Sequence, residues 1–369
     1  MKLKIEREEL LRGLSRVQAI VERRGTLLPI LANVLIQAGD ETITLTATDL
    51  EVGVVARLPA DIARPGSVTL AAKKLFEIVR ELEDKEIRLT LEDGSRVSIE
   101  CGPARFTLLS ISPDEYPSIP AADAVAFVTL ESALVAEMID RTLYCTSTEE
   151  TRYNLNGVFM EQVDGRVRFV STDGHRLAKI DKTPNRPVSF LEKGIIVPRK
   201  GVTEIRRLCD ETEGSVEIGL APDGFLMVRR PDLLLTSRLI DSEFPNYRQI
   251  LPADYRVRLV LERERLLHAV RRISLLAPER TRGFRVRIVE GELQLHVSNP
   301  DLGEARESVP TTYSGDPFET GFNARYVLDA LAAMSAKEIL IELTDELAPA
   351  VFRPADDPDQ LAVIMPMRL

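Results

Sequence analysis

The side chains of this 369-residue chain best suited to nucleophilic, general-base or metal chemistry are three histidines, His175, His268 and His296, and three cysteines, Cys101, Cys145 and Cys209. Their spacing offers little of that chemistry. No two histidines stand four apart, no Cys-x-x-Cys pair occurs, and there is no P-loop, nucleophile elbow or glycine-rich dinucleotide turn. One stretch does gather reactive types: Thr172-Asp173-Gly174-His175-Arg176-Leu177. An Asp and a His this close could exchange a proton or share a metal. The same residues also read as a tight turn. Asp bonds its own backbone and Gly accepts positive φ, which leaves His175 outside to touch a peptide. A metal hydrolase needs more convergent ligands than this. No catalytic residue, metal ligand or cofactor is expected.

The turn is not unique. Leu45-Thr46-Ala47-Thr48-Asp49-Leu50 repeats it, and Leu295-His296-Val297-Ser298-Asn299-Pro300 is a degraded copy. Thr48, Thr172 and Ser298 are 124 and then 126 residues apart. The chain reads as one module written three times.

Each third opens with an alternating strand, at 2–5, 127–130 and 258–261, that runs into an amphipathic helix. Leu10, Leu14, Val17 and Val21 recur at helical spacing, as do Val135, Met138 and Thr142, and Leu266, Val270 and Ile273. Glu6, Glu131 and Glu262 take matching places in the first turn, where a carboxylate suits the helix dipole. A hairpin follows in each third: 33–37 with 42–47, 157–161 with 167–171, and 284–289 with 293–297. A second helix then begins, and Lys74, Lys200 and Arg325 near its start lie 126 and 125 residues apart. Further hairpins follow, such as 87–91 with 96–101 through Glu92-Asp93-Gly94. The thirds close on Tyr116-Pro117, Phe244-Pro245 and Met365-Pro366. Domains are therefore expected at 1–124, 125–252 and 253–369. Each is a doubled strand–helix–hairpin unit with antiparallel sheets on one side and helices on the other, an α+β architecture.

Hydrophobic content of 44% and charged content of 29% suit a folded soluble chain. The charged N-terminus lacks the apolar core of a signal peptide, and no apolar run approaches the ~20 residues of a membrane span. Scattered cysteines suit a reducing compartment, so a cytoplasmic protein is expected. The net charge of −10 taken alone argues against nucleic acid. Its distribution argues otherwise. The six expected helices, 6–24, 72–83, 131–145, 199–211, 262–277 and 323–334, sum to +2, and the remainder to −12. Such a helical face would steer a polyanion towards itself. Nothing resembles a base-reading element, so any DNA contact would ignore sequence. The absence of Trp leaves little for single-strand stacking.

The threefold repeat, the Thr172–Leu177 motif, Val197-Pro198-Arg199-Lys200-Gly201 and the tail Met365-Pro366-Met367-Arg368-Leu369 together resemble the bacterial sliding clamps, the β subunits of the DNA polymerase III holoenzyme. The resemblance spans the whole chain. It implies a head-to-tail homodimer closed into a ring, with helices lining a hole that holds duplex DNA. It implies a non-enzymatic processivity factor that recruits the replicative polymerase, the clamp loader, and repair and translesion proteins through short linear motifs. The family's partner-peptide pocket maps onto Leu155, then Thr172, Gly174, His175, Arg176 and Leu177, then Pro245, Gln249 and Ile250. It continues through Asn323 and Tyr326 to Val363, Met365, Pro366, Met367, Arg368 and Leu369. Apolar members would line a groove that Met adapts to different partners. His175, Arg176 and Asn323 could bond a peptide backbone or a Gln side chain. Gln249-Ile250 replaces the Arg-Val of the family's best-studied member, which keeps the shape and drops a cation. DNA-facing positions map onto Arg24, Lys73, Lys74, Tyr153, Arg199 and Lys200. Glu149 and Asn154 stand where the family pattern has Gln and a second Tyr. The subunit interface maps onto the edge strand of Arg105, Phe106 and Leu108 against Leu275 and Leu276.

Two other readings fit the same residues: a repeat-built adaptor that never encircles DNA, and a hydrolase using Asp173 and His175. Charge reversal at Arg24, Lys74 and Lys200 separates adaptor from clamp. Turnover lost in H175A, with peptide binding intact, would support the hydrolase.

Overall fold

The computed structural model describes residues 1–21, 28–92, 95–211, 213–252 and 254–368. Arg24, Leu369 and the Asp93-Gly94 part of the expected hairpin turn lie outside the described residues. The chain forms two compact units, residues 1–131 with 211–239, and residues 132–210 with 240–369.

The described residues contain six α-helices: α1 (Arg7–Val17), α2 (Ala72–Glu81), α3 (Ser132–Asp140), α4 (Arg199–Asp210), α5 (Arg263–Ile273) and α6 (Ala324–Ala332). The expected faces are buried: Leu10, Leu14 and Val17 on α1, Val135 and Met138 on α3, and Leu266, Val270 and Ile273 on α5. The helices are shorter than the periodicity suggests. Thr142 donates its hydroxyl to the Met138 carbonyl at 2.8 Å, and Ser274 donates to the Arg271 carbonyl at 2.8 Å. Such bonds compete with the helical ladder. The chain continues past each in a 3-10 turn, Leu143–Cys145 and Ser274–Leu276. Glu6, Glu131 and Glu262 end the preceding strands instead of entering the first turn.

The sheets are antiparallel throughout. In the first unit, a five-stranded sheet runs Asp61–Arg64, Lys2–Glu6, Glu86–Leu91, Arg96–Cys101, Ala104–Leu109. In the second, a four-stranded sheet runs Gly303–Pro310, Glu292–Asn299, Gly283–Val289, Phe318–Asn323. Each unit also holds an eight-stranded sheet, and these two cross the expected borders between thirds. Leu233–Arg238 pairs with Val52–Pro59, with Leu235 opposite Val54. Arg176–Lys182 pairs with Gln360–Ile364, with Ala178 opposite Ala362. The middle third is therefore shared between the two units.

The three recurrent turns are built alike. Asp49 Oδ1 accepts from the Glu51 and Val52 amides, and Asp173 Oδ1 accepts from those of His175 and Arg176. Asn299 Oδ1 accepts from the Asp301 amide at 3.0 Å. The hydroxyls of Thr48 and Thr172 donate across their turns to the Val52 and Arg176 carbonyls. Gly174 has φ +87° where its counterpart Leu50 is held at +77°, which explains why a glycine suits this position.

Candidate functional site

The 172–176 turn joins the strands Arg166–Thr172 and Arg176–Lys182, and the C-terminal strand lies on the second of them. Leu177 faces Val363 across that pairing. Beyond it the tail stays docked: the Met365 amide donates to His175 O at 2.9 Å and the Met367 amide to Gly321 O at 2.8 Å. Beneath lies a buried cluster of Val170, Leu177, Tyr247, Val351, Leu361 and Val363. Phe159, Phe244 and Ile250 pack half-buried against it. Leu155 and Thr172 are buried as well. Gly174, His175, Pro245, Gln249, Met365 and Arg368 are exposed, while Pro366, Met367, Asn323 and Tyr326 are half-buried. The result is an apolar floor with a polar rim, drawn from residues more than 200 apart in sequence, from Leu155 to Arg368.

Arg176 supports this surface instead of lining it. It is only 8% exposed. Its Nε donates to Asp173 Oδ2 at 3.0 Å, Nη1 to Asp329 Oδ2 at 2.7 Å and Nη2 to Tyr144 O at 2.9 Å. The Tyr326 ring lies 4.6 Å from the guanidinium carbon, a cation–π contact. Burial opposes the charge of Arg176, but the surrounding anionic groups prevail and its pKa rises. Three of its five N–H groups are thus engaged within the fold, which leaves at most two for a peptide. Asn323 is likewise occupied. Its Oδ1 caps α6, accepting from the Arg325 and Tyr326 amides, and its Nδ2 donates to Thr281 O at 3.1 Å. His175 alone of the three polar candidates presents an exposed side chain, with its ring near-parallel to Tyr326 at 6.3 Å.

The hydrolase reading fails on the same geometry. Both Asp173 oxygens are spent on the turn and on Arg176. Among the described residues no cluster of His, Cys, Asp and Glu could hold a metal.

In the second unit, Tyr153 is 55% exposed within the 3-10 segment Glu150–Leu155. Residues flanking this segment are tied to the start of α4, since the Arg199 amide donates to Asn156 O at 2.9 Å and its guanidinium to Thr146 Oγ1 at 2.9 Å. Arg199 is exposed and Lys200 half-buried. Glu149 pairs with Arg152 at 3.3 Å, which partly offsets the negative charge it brings beside Tyr153. Asn154 donates to Glu243 O at 3.2 Å. In the first unit, Lys73 and Lys74 stand exposed at the start of α2, with Lys74 paired to Glu77 at 2.6 Å.

Ala104–Leu109 is one of the two outer strands of its sheet, opposite Asp61–Arg64. Arg105 and Phe106 are exposed and Leu108 half-buried. Leu275 is 77% exposed; Leu276 packs against the core of the second unit. Sequence reasoning passed over Leu109, 71% exposed on the same edge, and Leu302, 65% exposed. It also passed over Phe159, whose ring stacks on Phe244 at 4.8 Å, and the Asp329 and Tyr144 partners of Arg176. The recurrent aromatic-Pro closure could have flagged Phe244. Asp329 gives no sequence signal, because its partner lies 153 residues away.

The chain combines repeated antiparallel sheets and helix pairs with a docked C-terminal tail beside an apolar surface, the features of a binding protein. Three family models cover nearly all of it: the DNA polymerase III β subunit N-terminal domain at residues 1–120, the central domain at 129–246 and the C-terminal domain at 248–368. The chain belongs to this family, the β sliding clamps, the non-catalytic processivity subunits of the replicative polymerase. It is 36% identical to the β sliding clamp of Escherichia coli K12 over 371 residues, covering 100% of both chains. The DNA polymerase III β subunit of Pseudomonas aeruginosa superposes with TM-score 0.94 at 34% identity, with 100% of both chains covered. A sliding clamp from Bartonella birtlesii bound to griselimycin superposes with TM-score 0.94 at 36% identity, again over 100% of both.

Proposed function

We propose that two copies of this chain close head-to-tail around duplex DNA and tether the replicative polymerase, the clamp loader and repair proteins through short peptides. We read the chain as three domains, 1–124, 125–252 and 253–369. The observation that carries the tethering is the docked tail: Met365 and Met367 are bonded to His175 and Gly321, so the apolar surface beside them is preformed. Peptides would seat between His175, Pro245, Gln249, Ile250, Tyr326 and Met365. Ring closure would join the open edge at Ala104–Leu109 of one copy to the region of Leu275 and the open edge Gly303–Pro310 of the next. That pairing covers both of these edges, and a head-to-tail arrangement of two copies closes by symmetry. Lys73, Lys74, Tyr153, Arg199, Lys200 and Arg24 would face the duplex. A tethered polymerase rebinds at high effective concentration, so processivity rises without tighter polymerase–DNA contact. We place the protein in the bacterial cytoplasm, which suits its three buried free thiols.

Retention on nicked circular DNA, loaded by a cognate loader with ATP, tests the ring. Protein that stays on circles and runs off after linearisation is held by topology. Equal loss from both forms would return the adaptor reading.

A further inference from the structure

Residues 244–251 join the middle third to the last and carry Pro245, Gln249 and Ile250. Their one buried polar side chain is Tyr247, at 4% exposure, in the 3-10 turn Tyr247–Ile250. Its hydroxyl donates to a Glu161 carboxylate oxygen and accepts from Arg168 Nη1 at 3.0 Å. Arg168 grips Asp181 with two bonds, Nε to Oδ1 at 2.6 Å and Nη2 to Oδ2 at 2.9 Å. Lys179 Nζ reaches the same Asp181 Oδ2 at 2.7 Å. Glu161, Arg168 and Asp181 stand directly opposite one another on three adjacent strands, so they form one charged row across the sheet. The row is largely withdrawn from water, with side-chain exposures of 13% for Glu161, 19% for Arg168 and 7% for Asp181.

A buried ionic row of this kind is costly to desolvate, and apolar residues of similar volume would hold the strands at least as well. What it adds is direction. One end of the row presents a fixed donor and a fixed acceptor to a single hydroxyl. Burial and then Glu161 push the Tyr247 pKa up, so that hydroxyl keeps its proton at neutral pH. Arg248, beside Tyr247, also bridges Glu161 at 3.1 Å.

We propose that the Glu161–Arg168–Asp181–Lys179 row is a positioning device that fixes Tyr247, and through it the placement of Pro245, Gln249 and Ile250 as one wall of the peptide surface. The proposal rests on the peptide-binding reading given above. These are positioning residues, since none of the four need touch the peptide.

The test is Tyr247→Phe in the full-length dimer, which keeps the ring in its cluster and removes the hydroxyl. Amide hydrogen exchange at 246–251 is expected to speed up about tenfold, while 176–180 and 360–364 stay protected. Affinity for a peptide containing Gln and Leu or Phe, read by fluorescence anisotropy, is expected to fall about five- to tenfold, the scale of one ordinary hydrogen bond lost indirectly through the linker. Arg168→Lys should behave the same way. Glu161→Gln keeps an acceptor for the hydroxyl and should retain most of both wild-type signals. Faster linker exchange with unchanged affinity overturns the proposal. So does weaker affinity with unchanged exchange, which would mean the hydroxyl meets the peptide itself. Wild-type protein that binds no such peptide would instead sink the peptide-surface reading, while the exchange data would still judge the row's hold on the linker.

Discussion

Replacing Arg176 by Leu should destabilise the second unit by about 3 kcal/mol while leaving no catalytic deficit to find. The guanidinium makes three bonds of 2.7 to 3.0 Å to Asp329, Tyr144 and Asp173. Bonds to charged groups contribute ~1.5–3 kcal/mol each, so the gross loss is about 4.5–9 kcal/mol. Two features reduce it. Asp173 keeps the His175 and Arg176 amides as donors at 3.0 and 3.1 Å, and the Asp329 side chain is 34% exposed and can turn to water. The buried guanidinium also no longer needs desolvating. The net effect then falls at the low end of the ~3–5 kcal/mol seen when a buried ion pair loses one partner. The chain has no Trp, so urea unfolding would be followed by far-UV circular dichroism or tyrosine emission. His175→Ala is the control: its side chain is exposed, so stability should shift by less than about 0.5 kcal/mol while peptide affinity falls. If Arg176→Leu unfolds within 0.5 kcal/mol of wild type, Arg176 does not support the surface, and its side chain must be reconsidered as a direct peptide contact.

Gly174→Ala should cost about 1–2 kcal/mol, because φ is +87° and a Cβ there would sit 2.5 Å from Arg152 Nη1; an unchanged urea midpoint would contradict this. Deleting residues 365–369 should weaken peptide binding at least about tenfold and leave the dimer intact by sedimentation; unchanged affinity would refute the placement of the peptide surface. Leu275→Ala with Leu276→Ala should yield folded monomers, and an intact dimer would exclude that interface. Acid should destabilise the fold through Asp181, Asp232 and Asp359. Burial works against the Asp181 and Asp232 carboxylates, but their Arg and Lys partners outweigh it, and Arg166 does the same for Asp359; all three pKa values are lowered. Their stabilisation is complete above the unfolded value near ~3.9 and is lost as pH falls through the depressed folded values. The urea midpoint should therefore drop as pH falls below about 4, and a flat profile there would count against these pairs.

Periodicity and turn chemistry made the repeat readable. Leu10, Leu14 and Val17 announced a helical face, and Thr172-Asp173-Gly174 announced a turn that recurs at Thr48 and Ser298. Helix ends were less readable, since a hydroxyl such as that of Thr142 stops a helix through a bond that composition does not advertise. The site was half readable. The resemblance pointed to His175 and the Met365 tail, but not to what Arg176 and Asn323 spend their donors on. Those partners are Asp329, Tyr144 and Thr281, brought close only by tertiary folding. The pairing of sheets across thirds was invisible for the same reason, because it depends on which of several equally good strands meet.

That pairing also bears on how the chain emerges from the ribosome. Val54 waits for Leu235, and Ala178 waits for Ala362. Each gap is roughly 180 residues, about 10–35 s of synthesis at ~5–20 residues per second. During that interval the Val52–Pro59 strand has one flank unpaired beside its finished neighbours. A nascent chain of this protein therefore carries a sticky half-sheet for much of its translation, and no single third can be excised or expressed alone without baring one.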